Sequence, residues 1–323
     1  MSKTATARPA YRVSLNYFAI PLGLAGLGGA WTAAPTALNA PEWVDGVLFS
    51  VSGVCWLAFT VVYVGERVRD RGAFRADREH PVDGASAAFL PVVGILLTMH
   101  FEQYVSFDAA RMICWLLVFA LSVVAGQLFA HWLTGRTSFD QLHPGYFLPL
   151  VAGPFVASIG LSTVHAQTAA RAALGAGIFF WVIIGGVITA RLITAGPLPY
   201  AATPALSVLL APPATGGVAA FAAYPGPAGT LQATFLGIFL MTLMVQVFLL
   251  PKYRKLAFGL GFWNFTFPAS VSANYIIRWC RTSAFAGWEA LAWTALGLAT
   301  VIVLVIAAAT LRSLLPAKSG RAI

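Results

Sequence analysis

The residues that could do chemistry are few, and most stand where a membrane interface would be. Glu42, Asp45, Glu66, Glu102, Asp108 and Glu289 fall at the edges of apolar runs, and Asp70, Asp77, Glu79, Asp83 and Asp140 fall between them. Proton- or sodium-driven carriers usually keep an ionisable side chain at mid-depth, because such a group is costly in hydrocarbon and is retained there only for function. A pathway lined by carboxylates is therefore not expected. The histidines His80, His100, His131, His143 and His165 form no metal-type pair. His100 and His131 are candidates for proton sensing, against the plainer reading of hydrogen-bonded interfacial residues. Cys55, Cys114 and Cys280 lack redox or metal spacing, and a thiol in an apolar run usually acts as a small hydrophobe. No H-x-x-x-H pair, G-x-S-x-G elbow, phosphate-binding loop or dinucleotide fingerprint occurs in a fitting context. The sequence predicts no enzyme, no cofactor and no metal.

These sparse groups must be positioned by membrane helices. Of 323 residues, 59 % are hydrophobic and only 10 % charged, where soluble domains carry roughly a quarter charged residues. Windows of about 20 apolar residues, long enough to cross a bilayer, recur at 15–37, 44–66, 85–103, 109–133, 144–163, 168–193, 205–223, 229–250, 258–279 and 286–315. The first is too long for a signal peptide and lacks a cleavage site, so it reads as a retained span. The expected plan is a short cytoplasmic segment (1–14), one ten-span domain (15–315) and a cytoplasmic tail (316–323). Of the 20 basic residues, only Arg111, Arg171, Arg278 and Arg281 fall outside if the N-terminus is inside, leaving 16 on the cytoplasmic face. Basic residues collect in cytoplasmic loops, so the net charge of +9 marks a multi-pass protein of the inner (plasma) membrane with both termini cytoplasmic. It does not mark a nucleic-acid binder.

Proline divides the spans. The odd-numbered ones carry Pro21, Pro91, Pro149 with Pro154, Pro212 with Pro213, and Pro268 away from their ends, whereas Pro41 and Pro251 stand at the edges of even ones. An interior proline removes a helical hydrogen bond and bends the axis, and the freed carbonyl is tolerated only against protein or a water-filled cavity. The pattern predicts an all-α membrane protein of five helical hairpins, with five kinked inner helices around a central pore and five straight outer helices facing lipid.

The stretch "FWNFTFPAS" (262–270) concentrates what remains. Asn264, Thr266, Ser270 and Ser272 are suitable lining groups for a path without fixed charge. The neighbouring rings could close a narrow neck, because a dewetted constriction stops water and ions alike.

Three segments together carry a resemblance: "NYFAIPLGLAGLGGAW" (16–31), "HPGYFLPLVAGP" (143–154) and "KLAFGLGFWNFTFPAS" (255–270). They resemble the tellurite-resistance/dicarboxylate transporter family, which includes plant slow-type guard-cell anion channels, fungal malate carriers and sulfite efflux pumps. The resemblance implies a homotrimer with one pore per subunit, moving small inorganic or organic anions. It places a pore-closing ring on Phe267, with Phe265 as second candidate, and pore-lining or kink positions on Phe18, Pro21, Gly23, Phe89, Pro91, Phe147, Pro149, Pro213, Thr266, Pro268 and Ser270. The alternative within the family is a proton-linked secondary exporter of sulfite, tellurite-related oxyanions or C4-dicarboxylates. Plant members carry a long phosphorylatable N-terminal tail, and only residues 1–14 precede the first span here, so that form of control is not expected.

Overall fold

A computed structural model describes residues 13–70, 83–135 and 138–314. Most of the basic 67–84 connection and the terminal segments, including His80, lie outside the described residues. Ten helical spans run through the described chain. They are α1 (Leu15–Leu38), α2 (Trp43–Arg69), α3 (Gly84–Tyr104), α4 (Phe107–Leu133), α5 (Pro144–Thr163), α6 (Gln167–Thr194), α7 (Tyr200–Ala223), α8 (Thr230–Tyr253), α9 (260–283) and α10 (Trp288–Leu314). Nine are long and apolar enough to cross a membrane. The exception is α9, whose Ser270, Ser272, Asn274, Arg278 and Arg281 make it the most polar of the ten.

Odd and even spans differ in kind. In their most apolar stretches 67–78 % of the residues of α1, α3, α5 and α7 are buried, against 17–22 % in the even spans. The even spans are continuous α-helices whose Val, Leu, Ile and Phe side chains are largely exposed. This is the surface a helix shows to lipid, which is as apolar as the side chains themselves. The odd spans pack on one another in order: α1 on α3, α3 on α5, α5 on α7, α7 on α9, and α9 back on α1. Each also packs on the even span that follows it.

The prolines act differently from the expectation of a bend within a continuous helix. Each odd span joins two pieces. A 3-10 turn, Leu15–Phe18, precedes the α-helix Ala19–Leu38, and a single turn, Asp83–Ser86, precedes Phe89–Phe101. A π-type turn, Leu148–Ala152, leads into Gly153–Thr163. The 3-10 segments Tyr200–Leu210 and Leu260–Phe265 precede Ala211–Ala223 and Thr266–Ser283. Pro21, Pro91 and Pro268 are the third residues of their α-helices, Pro154 the second, and Pro212 and Pro213 the second and third. First-turn N–H groups have no intrahelical partner, so a residue without one is accommodated there. The prolines start the α-helical halves of these spans.

Polar side chains from neighbouring spans stitch the junctions. From α2, Ser52 Oγ donates to the Pro21 carbonyl (2.7 Å) and Trp56 Nε1 to the Leu90 carbonyl (3.0 Å). From α8, Gln246 Nε2 donates to the Leu206 carbonyl (3.1 Å). In α9, Pro268 leaves the Asn264 carbonyl without its helical donor, and Ser207 Oγ of α7 approaches it at 2.9 Å while also lying 2.8 Å from the Pro204 carbonyl.

Candidate functional site: a divided pathway

Two cavities occupy the space among the odd spans. The larger, about 660 Å³, is walled by early residues of each: Asn16, Ala19 and Leu22; Ala85, Ser86 and Phe89; Leu148 and Ala152; Ala205, Val208 and Ala211; Leu260, Asn264 and Pro268. The smaller, about 380 Å³, is walled by later ones: Ala25, Gly29 and Thr32; Leu96 and His100; Val156 and Ile159; Thr215 and Val218; Val271, Asn274 and Arg278. The steps of three and four along each chain are those of one helix face. The two cavities therefore lie one beyond the other along the inner faces of the same five spans. Among the described residues, Phe267 alone belongs to both walls.

Phe267 is 8 % exposed. Its ring lies against Gly26 of α1, where a Cβ would come within 2.8 Å of a ring carbon. Phe265 has a different surrounding: its ring packs edge-on to Tyr253 (4.9 Å) and Phe262 (5.6 Å), and it lines neither cavity. Phe89 and Pro268 join Phe267 on the larger cavity's wall.

Other expected lining positions lie off the walls. Phe18 packs edge-on to Phe59 and Tyr63 of α2 and is fully buried. Phe147 is buried near Gly185 of α6. Pro21, Pro91, Pro149 and Pro213 are buried within the spans. A Cβ on Gly23 would collide with the Thr266 side chain, so this glycine lets α1 and α9 touch. Thr266 Oγ1 is occupied by the Trp263 carbonyl (2.7 Å). Ser270 Oγ is buried with no hydrogen-bond partner among the described residues.

The smaller cavity also corrects an expectation. The sequence predicts no fixed charge for an anion to meet, with Arg278 assigned to an outer flank. The structure puts Arg278 on the cavity wall. The signal available in the sequence was spacing: 267, 271, 274 and 278 fall on one helical face, which continues from the ring to Asn274 and the guanidinium.

A family profile described as SLAC1, voltage-dependent anion channel, matches residues 12–314. The chain belongs to this anion channel family. It is a family of anion channels and transporters, not of enzymes, and the chain is a multi-pass membrane protein of that class. It is 25 % identical over 266 residues to a tellurite resistance protein TehA homolog of Haemophilus influenzae, covering 80 % of this chain and 79 % of that one. It is 23 % identical over 311 residues to the S-type anion channel SLAH3 of Arabidopsis thaliana, covering 93 % of this chain and 48 % of the plant protein. SLAH2 of the same plant is 21 % identical over 305 residues, covering 91 % of this chain and 58 % of SLAH2. The chain thus spans about half the length of its plant SLAC1-family relatives.

Proposed function

We propose that this protein moves small anions through the passage enclosed by α1, α3, α5, α7 and α9, and that the Phe267 ring closes it. The observation that carries the reading is the ring's place on the walls of both cavities. A narrow apolar neck is impassable to a hydrated ion because it supplies no hydrogen-bond partners to replace water. Removing the ring joins the cavities. The architecture that goes with this reading is five helical hairpins, each pairing an interrupted inner span with a straight outer one. The proposed assembly is a homotrimer with one passage per subunit. With both termini cytoplasmic, as the basic-residue bias indicates, the larger cavity opens inward and the smaller one outward.

The test is anion current in planar bilayers or oocytes. Phe267→Ala should conduct well above wild type. Phe265→Ala, which removes a ring from a packing cluster off the passage, should leave current at the wild-type level. A closed pore in Phe267→Ala, or equal opening by both variants, overturns the gating role.

A further inference from the structure

The smaller cavity holds more polar chemistry than a passage needs. Arg278 forms no ion pair with a carboxylate among the described residues, although it faces the cavity. Its Nε–H donates to Asn274 Oδ1 (2.8 Å), and Asn274 Nδ2 donates to the Gly29 carbonyl (2.8 Å). A carbonyl can only accept and a guanidinium can only donate, so the orientation of the amide is settled. Asn274 thus holds the guanidinium by one edge, and its Nη groups make no side-chain hydrogen bond among the described residues.

Two polar atoms at this wall lack a partner among the described residues: Thr215 Oγ1, on a fully buried residue, and His100 Nε2. Buried polar groups are nearly always hydrogen-bonded, so two orphaned buried atoms on the same cavity wall as a guanidinium with free Nη groups point to a polar guest. Asp45 is the nearby carboxylate. It accepts Thr32 Oγ1 (2.9 Å) and lies 3.8 Å from His100 Nδ1, so its charge is directed to those neighbours.

We propose that Arg278, positioned by Asn274, forms a binding subsite for a small planar oxyanion, nitrate or a carboxylate group, in preference to a halide. The planar fork of a guanidinium matches two coplanar oxygens and gains less from a spherical ion. Phe267 lies about 16 Å farther along the helix, by eleven residues of rise, so the subsite sits in the vestibule ahead of the constriction. It rests on the pathway reading only for where the anion goes next.

Binding is measurable without conduction, by equilibrium dialysis of radiolabelled malonate against the full chain in detergent, with nitrate and chloride as competitors. Wild type should bind saturably, and nitrate should displace malonate at lower concentration than chloride. Arg278→Gln should weaken binding at least about tenfold, the scale of one charge-assisted hydrogen bond. Arg278→Lys keeps the charge without the fork and should lose the preference for nitrate. Absence of saturable binding in wild type, chloride competing as well as nitrate, or an unchanged preference in Arg278→Lys overturns the proposal. Should Arg278→Gln fail to fold, the lysine variant decides. Failure of Phe267→Ala to conduct would leave these outcomes untouched.

Discussion

Phe265 and Phe267 stand two residues apart and meet different surroundings, one a cluster of rings and the other the walls of both cavities. That difference follows from the change of winding at Thr266, where a 3-10 turn becomes an α-helix. It is not a property of the residue types, which is why the sequence alone narrows the proposed closing ring to a motif and only the resemblance chooses within it. The same limit applies to Phe18, Phe89 and Phe147. Each is an aromatic residue two or three positions before a proline, yet only Phe89 reaches a cavity wall. Arg278 went unread because its depth depends on how far α9 runs before its polar flank ends. Gly26 offers a test of the ring's seat. A methyl group 2.8 Å from the Phe267 ring is closer than van der Waals contact, and the ring is the part able to turn. Gly26→Ala should give an anion current above wild type and below Phe267→Ala. A wild-type current would show that α1 does not hold the ring.

The two-piece odd spans set the requirement at the scale of elements. An uninterrupted helix satisfies its own backbone, whereas a span that changes winding at a proline needs donors from elsewhere. Ser207 of α7 supplies one to the Asn264 carbonyl. Ser207→Ala should lower stability by about 1–3 kcal/mol, the cost of a buried group left unsatisfied, read as a lower thermal unfolding midpoint in detergent. Pro268→Ala restores an N–H to the same carbonyl. The double variant should therefore lose less than the sum of the singles, because neighbours that share a partner are not additive. Additive losses would mean that the serine stabilises α7 alone, through the Pro204 carbonyl. The odd–even division of the spans was legible from the prolines. Their first-turn placement was not, since a proline in an apolar run looks the same whether it starts an α-helix or bends one. The stitching residues were visible only as lone polar side chains, such as Ser52 and Gln246, in otherwise lipid-facing helices.

At the scale of the whole molecule, the decisive contact joins the chain's ends: α9 packs on α1 and closes a ring of five. The prolines predict five inner helices around one axis, but local sequence carries no record of which distant helices meet, so the α9–α1 contact had to come from the structure. The closed ring also bears on what drives transport. Asp140 is the only carboxylate among the described cavity-lining residues, and it stands ahead of α5 in the 3-10 turn Phe139–Gln141. A carrier that couples anion movement to protons needs a site whose protonation changes where the anion is held. Between the two cavities, Leu22 and Ala25, Ala152 and Val156, and Ala211 and Thr215 present small or apolar side chains and the Thr215 hydroxyl. Flux through Phe267→Ala should therefore follow the electrochemical gradient of the anion alone. In proteoliposomes, labelled nitrate uptake should track an imposed potassium diffusion potential and fall to the undriven level when a pH gradient of the same driving force replaces it. Uphill accumulation driven by the pH gradient, saturable for one oxyanion or dicarboxylate, would instead identify a proton-linked exporter. Asp140 and His143, both on the larger cavity's wall, would then be the first residues to neutralise.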